Sequence, residues 1–226
     1  MISVLKNENI RLGFGCSGAL GKPWFPEKQV REVLHAALKG GITHIDTAGF
    51  YGEAERRLGC VLKNMNDDAI FVSTKTGTSF TVSGSVKKDF SKAAIITGVD
   101  ASLKRLGRER LDLLYLHGPN SHELAACETV LTHLKTQGKI RYAGICGEGT
   151  PLEDAASLAF IDVLMGRYNI IHREHAPIFA KQSKMARLLL RLLRLCRVCI
   201  RKNSFYQVHG RKFGISLERW QKTVHS

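Results

Sequence analysis

The chain has 226 residues, 44% hydrophobic and 24% charged, and its 34 Lys+Arg against 20 Asp+Glu give a formal net charge of +14. No apolar run approaches the ~18 residues of a membrane helix, and the opening MISVLKNENI lacks the apolar h-region of a secretory signal, so the composition describes a globular protein expected in the cytoplasm. Six cysteines, at 16, 60, 127, 146, 196 and 199, are too sparse and irregular for a disulfide scaffold at this length.

Six short apolar runs open near Ile10 (IRLGFG), Ile42 (ITHID), Ala69 (AIFVSTK), Leu111 (LDLLYLH), Lys139 (KIRYAGI) and Ile161 (IDVLMGRYN). Their spacings of 32, 27, 42, 28 and 22 residues each fit about one βα unit. After the first run, Gly13-Phe14-Gly15 lacks the third glycine of a dinucleotide-binding turn and is followed by Pro23 and Pro26, which predicts a strand ending in a loop. Val30, Val33, Leu34, Ala37 and Leu38 then follow helical spacing, as do Val99, Leu103 and Leu106 further on. Gly40-Gly41 and Gly107 stand where helix C-termini need a residue tolerant of positive φ. The strands are apolar at nearly every position, as in a parallel sheet buried on both faces. Six βα units fit either a doubly wound sheet or the first three-quarters of an eight-fold barrel.

The polar residues at the strand ends carry the chemistry. The second strand closes with Asp46 and runs into Tyr51, the third closes with Lys75 and the fourth with His117. Taken singly, each has an ordinary structural reading: a cap, a solvated loop lysine, a satisfied histidine. Four such groups at the same relative position in successive units would converge over one barrel mouth, where barrel enzymes build their sites. A tyrosine with an ordinary pKa of about 10 protonates a developing alkoxide well only if its phenolate is stabilised; an adjacent ammonium does that, and a carboxylate holds the ammonium charged. An imidazole beside them can orient a carbonyl. The set has no metal-ligand spacing and no activated Ser or Cys nucleophile, and it suits a site that protonates a carbonyl while a cofactor delivers hydride.

GGITHIDTAGFYGEAERRLG (40–59) resembles the first signature of the aldo-keto reductases, a strand ending Asp-Thr-Ala followed by Tyr-Gly and Glu-x-x-Leu-Gly, with one residue more than usual between Tyr51 and Glu55. FVSTKTG (71–77) is similar to the family's lysine segment, DLLYLHGP (112–119) to its histidine segment, and RLGFGCSGALG (11–21) to its first strand and loop. The resemblance covers about residues 10–180. It implies an α/β fold, a (β/α)8 TIM barrel binding NADPH in extended form, and reduction of a small-molecule aldehyde or ketone. By the same resemblance Tyr51 is the proton donor, Lys75 and Asp46 tune it, and His117 orients the carbonyl. Gly15, Cys16 and Ser17 would lie beside the nicotinamide, with Asp46, Cys146 and Gly147 bordering it. Where the family often grips the carboxamide with Ser-Asn and Gln, this chain has Cys146-Gly147 and Met165.

The charge is uneven. Residues 1–180 hold 22 Lys/Arg and 19 Asp/Glu, a net of +3, whereas residues 181–226 hold 12 and 1, a net of +11. A nearly balanced body argues against a nucleic-acid footprint spread over a whole domain. The sequence thus predicts a barrel portion over 1–181, incomplete at about six βα units, and an atypical basic tail over 182–226, helical or disordered, whose abrupt composition suits a truncated or frame-altered end. In that tail Arg187, Arg191, Arg194, Arg197 and Arg201 recur at spacings of 4, 3, 3 and 4, the pattern of a basic amphipathic helix. A second reading follows: a non-catalytic reductase relic whose tail binds acidic partners, a membrane surface or nucleic acid. Cys196 and Cys199 form a CxxC pair with no second pair or His to complete a zinc site.

Overall fold

The computed structural model describes residues 13–63, 65, 69–169, 172–178, 188–192, 206–208 and 211–213. The chain divides into two compact units, Met1–Leu192 and Leu193–Ser226. In the first, strands β1 (Gly13–Gly15), β2 (His44–Asp46) and β3 (Phe71–Thr76) alternate with helices α1 (Glu27–Lys39) and α2 (Ala54–Leu62). A hairpin, β4 (Thr78–Phe80) and β5 (Val86–Lys88), then precedes α3 (Lys92–Leu106) and β6 (Leu111–His117). Helices α4 (Ser121–Leu124) and α5 (Glu128–Thr136) lead to β7 (Ile140–Cys146), and α6 (Thr150–Ala155) leads to β8 (Val163–Arg167) and β9 (Leu188–Leu192).

Local signals explain the boundaries. α1 starts behind Pro26, places Glu27 in its first turn and Lys39 in its last, and buries Val30 and Leu34, a charge order that suits the helix dipole. The chain leaves α1 through Gly41, whose φ is 87°. α3 is capped at one end by Ser91, whose side chain accepts from the Ala94 N–H, and at the other by Gly107 in the left-handed region at φ 67°.

All neighbours in the main sheet are parallel, in the order β1-β2-β3-β6-β7-β8-β9. Alternate residues of each strand point to opposite faces, and the two faces differ. Ile45, Val72, Leu114, Leu116, Ile145 and Leu164 pack with helix residues such as Leu34, Leu58, Leu103 and Leu134. The other face gathers Phe71, Leu113, Tyr115, Val163 and Met165, all from strands and all buried. A doubly wound sheet would cover that second face with helices; here the sheet curls around its own side chains, as in a barrel interior. Close packing sets the sequence there: a Cβ on Gly144 would stand 2.7 Å from ring atoms of Tyr115, so that ring lies against bare β7 backbone.

The six strands expected from the sequence are present where the residues are described, although Ile10, where the first run opens, lies outside them. Two elements go beyond the sequence expectations. The hairpin β4–β5 follows the lysine strand, in a stretch where the sequence pattern marks no element. In the segment read as a basic helix or disordered tail, Leu188–Leu192 is a strand pairing parallel with β8, Met165 opposite Leu190. Its physical reason is the edge of β8, a row of backbone donors and acceptors that an extended apolar run can satisfy and a helix cannot. Arg191 belongs to that strand, whereas Arg187, Arg194, Arg197, Arg201, Cys196 and Cys199 lie outside the described residues. In the second unit the described residues form an antiparallel hairpin, Tyr206–Val208 with Arg211–Phe213.

The tightest helix–helix approach is at Gly59 of α2, where a Cβ would stand 2.5 Å from the carbonyl oxygen of Arg105 and 2.8 Å from that of Leu106 on α3. Those are backbone atoms that cannot rotate away. Gly59→Ala should therefore destabilise the chain by about 1–3 kcal/mol, read as a lower urea midpoint; an unchanged midpoint would show that the two helices separate at no cost.

Candidate active site

Position and polarity converge at the carboxyl ends of β2, β3 and β6. Register places Gly15 beside Asp46 and Asp46 beside Ser73, so Ser73 and, two residues on, Lys75 face the same side of β3 as Asp46 faces on β2. Lys75 is buried, and a buried ammonium must have its three N–H donors satisfied. It donates to Asp46 Oδ2 at 2.5 Å and to the Thr47 carbonyl at 2.7 Å. Its remaining side faces Tyr51, with Nζ 4.9 Å from the centre of the Tyr51 ring.

Tyr51 sits in the loop between β2 and α2, and that loop is fastened at several points. Gly49 N–H donates to the Lys75 carbonyl at 3.3 Å, Tyr51 N–H to the Ala48 carbonyl at 2.9 Å, and Glu53 N–H to the Gly21 carbonyl at 3.0 Å. Gly21 and Gly52 let the first loop press against it: a Cβ on Gly21 would meet the Tyr51 carbonyl oxygen at 1.7 Å. Just below, the fully buried Glu55 accepts from Thr74 Oγ1 at 2.5 Å and from Arg105 Nε at 2.6 Å. Glu55 thus ties α2 to β3 and α3. It is a fastening residue, not a member of the cluster at the mouth.

His117 closes β6 with its ring edge-on to Tyr51, centroids 6.1 Å apart and planes at 88°. Its carbonyl accepts from Thr78 Oγ1 of the hairpin at 2.7 Å. Phe50 stands beside it, 6.0 Å between centroids, and stacks on Phe80 of β4 at 4.2 Å. Asp46, Tyr51, Lys75 and His117 therefore do meet at one mouth. The aromatic pair Phe50 and Phe80 beside them was missed by the sequence reading; Phe50, directly before Tyr51, was the available signal.

Electrostatics sets the protonation states. Burial alone would strip the proton from Lys75, but Asp46, Tyr51 and Cys146 outweigh it and hold its pKa above the ordinary 10.5. Burial raises Tyr51 above 10.0, and the pull of Lys75 offsets only part of that. Deeper in, Tyr115 is pushed well above its ordinary value by burial first and by the nearby Asp46 carboxylate. Burial lowers His44 below 6.5 against the opposing pull of Asp46.

The residues expected around a nicotinamide divide. Gly15 and Ser17 are exposed, and a Cβ on Gly15 would meet nothing within 4 Å, so the backbone there is open to a flat ring. Cys16, by contrast, is buried in the layer between sheet and helices, its thiol pushed up to about 12 by burial; any hold on a cofactor at this position is through backbone. Cys146 is half-buried and borders the interior set with Tyr142. The Gly147 N–H already donates to the Met165 carbonyl at 3.0 Å, so it is not open to a carboxamide. No helix among the described residues is long and apolar enough to cross a membrane.

A family model described as the aldo/keto reductase family matches residues 11–184. D-threo-aldose 1-dehydrogenase of a Pseudomonas species is 32% identical over 175 residues, covering 64% of this chain and 52% of that protein. Pyridoxine 4-dehydrogenase of Escherichia coli is 32% identical over 177 residues, covering 72% of this chain and 62% of that protein. Among solved structures, an aldo-keto reductase of Bacillus halodurans in its holo form superposes with TM-score 0.72 at 27% identity, covering 87% of this chain and 67% of that one. Glycerol dehydrogenase of Gluconobacter oxydans does so with TM-score 0.69 at 25% identity, covering 79% and 58%. The chain thus spans between half and two-thirds of the length of these curated relatives.

One consequence of the site is independent of any activity. Cys16, Tyr51, Lys75 and Tyr115 all hold their protons more tightly in the folded chain than their ordinary values. Above the ordinary thiol value of 9.0 the unfolded chain binds fewer protons than the folded one, so unfolding becomes easier as pH rises. The contribution of these groups is complete below pH 9 and lost progressively above it. Urea midpoints measured from pH 7 to 11 should fall in that range, and Cys16→Ala should flatten the first part of the fall; a midpoint level to pH 11 would contradict the burial of these groups.

Proposed function

The chain belongs to the aldo/keto reductase family, and on that premise we propose that it reduces a small aldehyde or ketone by hydride transfer from NADPH, with Tyr51 as the proton donor. The observation that carries the reading is the buried ammonium of Lys75, bound to Asp46 and to the Thr47 carbonyl and 4.9 Å from the centre of the Tyr51 ring.

A proton donor must hold its proton at rest and give it up only when a stronger base appears. Burial keeps the Tyr51 phenol protonated at neutral pH. As negative charge grows on a carbonyl oxygen at the mouth, the phenol proton moves to it, and the phenolate left behind faces an ammonium that cannot turn away because its other two N–H groups are taken. That stabilisation is small in the ground state and large once charge has developed, which is the condition for lowering a barrier. His117, edge-on to Tyr51, is placed to donate to the same carbonyl oxygen and set its direction. Phe50 and Phe80, stacked on each other, form an apolar wall beside it.

NADPH, when bound, supplies the hydride. Gly15 and Ser17 after β1, Asp46 on β2, and Cys146 and Gly147 after β7 are the residues that would border its nicotinamide, with Cys16 contributing backbone. The names of the relatives, dehydrogenases of an aldose and of pyridoxine, favour small polar carbonyl compounds as the substrate class.

Tyr51→Phe removes the hydroxyl and keeps the ring. Aldehyde-dependent oxidation of NADPH should fall by about a hundredfold or more, while quenching of protein fluorescence by NADPH keeps its midpoint. Equal loss of binding and turnover would make Tyr51 a packing residue, and full turnover in the variant would remove it from the chemistry altogether.

A further inference from the structure

Asp46 has two carboxylate oxygens, and only one is used by Lys75. The other, Oδ1, accepts from Ser73 Oγ at 2.8 Å, and Ser73 Oγ lies 2.9 Å from His44 Nε2. All three side chains are buried. Asp46, Ser73 and His44 occupy the inward face of β2 and β3, with His44 one step deeper than Asp46 along the strand.

The direction of these hydrogen bonds can be derived. An ionised carboxylate only accepts, so the Ser73 hydroxyl must donate to Asp46. Its oxygen can then only accept from His44, which requires a proton on Nε2. The surroundings of the ring agree. Among the described residues Nδ1 has no partner, and it faces Gly13, where a Cβ would stand 2.7 Å from it. A buried unpaired lone pair is tolerated more readily than a buried unpaired N–H, so the neutral ring leaves its lone pair at Nδ1 and its proton at Nε2. Phe71 holds the ring from the side, centroids 5.3 Å apart and planes at 82°.

We propose that His44 and Ser73 are positioning residues: a one-way chain, His44 Nε2–H to Ser73 Oγ–H to Asp46 Oδ1, that locks the carboxylate in the rotamer that aims Oδ2 at Lys75. Through Lys75 the chain reaches Tyr51, so two residues that touch neither substrate nor cofactor set the working pH range of the proton donor. Each element packed against Asp46 brings a titratable group that shares this balance: Cys16 after β1, His44 on β2, Tyr51 in the loop, Lys75 on β3 and Tyr115 on β6. Cys146 on β7 acts on Lys75, and Asp112 of β6 acts on His44.

The kinetic part of this proposal rests on the reductase reading; the hydrogen-bond direction does not, and the test separates them. In the wild-type chain labelled with ¹⁵N-histidine, NMR at pH 7 should show a slowly exchanging proton on His44 Nε2. A bare Nε2 overturns the chain, because Ser73 would then donate to His44 and leave Asp46 without its second donor. In kinetics, Asp46 helps Lys75 keep its proton, so Ser73→Ala and His44→Phe, which loosen Asp46, should move the alkaline limb of kcat down by about one pH unit. Ser73→Thr and His44→Gln, which keep the donors, should leave the limb near its original position. A folded Ser73→Ala variant with an unshifted limb overturns the positioning role. A wild-type chain without turnover overturns the reductase reading, and the NMR result then decides the hydrogen-bond chain alone.

Discussion

The Lys75–Asp46 pair is the constraint around which the first unit is arranged. An ammonium buried in low dielectric is expensive unless every donor is matched, and a buried ion pair broken on one side costs about 3–5 kcal/mol because the remaining charge is left uncompensated. The chain supplies a carboxylate on β2 and the Thr47 carbonyl just after it, and sets the Tyr51 ring of the following loop 4.9 Å from Nζ. Each partner is within reach only if β2 and β3 keep the parallel register that sets Asp46 beside Ser73. A slip of one residue would turn Asp46 and Lys75 to opposite faces, so the pair that serves the chemistry also fixes the strands.

Small residues stand where this arrangement forces backbone and side chain together. Gly21 meets the loop of Tyr51, Gly59 lets α2 touch α3, and Gly144 gives up its side chain to the ring of Tyr115. The Glu55 carboxylate, fully buried between Thr74 and Arg105, transmits the position of α3 to the strand that carries Lys75. Helix packing on one face and the polar cluster on the other are therefore coupled through β3, which is buried along its whole length.

Charge is distributed unevenly along the chain. The net +3 of residues 1–180 accompanies ion pairs spread over the body, among them Arg57 with Glu27, Arg108 with Asp112 and Lys135 with Asp162. The residues after 180 carry most of the excess positive charge. Periodicity in arginine suggested a helix there, yet Leu188–Leu192 extends along β8: an open sheet edge is a stronger local demand than a weak amphipathic pattern, since helix propensity is overridden by tertiary hydrogen bonding.

The sequence by itself determined the alternation of strands and helices, the parallel sheet, and the grouping of Asp46, Tyr51, Lys75 and His117, because each of these is written in local periodicity or in the position of a polar residue at a strand end. It also carried the family resemblance that the match over residues 11–184 establishes. Only the tertiary structure decided the rest. Whether the sheet curls or lies open depends on which face Phe71, Leu113 and Tyr115 share, and a single strand reads apolar either way. That Cys16 turns into the helix layer while Gly15 stays open is a matter of one residue's alternation at the end of a three-residue strand. Ser73 and His44 become part of the site through distances across two strands, 29 residues apart in sequence, and Phe80 through a hairpin that folds back over the mouth. Contacts of that kind come from register and packing between distant segments, which no local pattern of residues encodes.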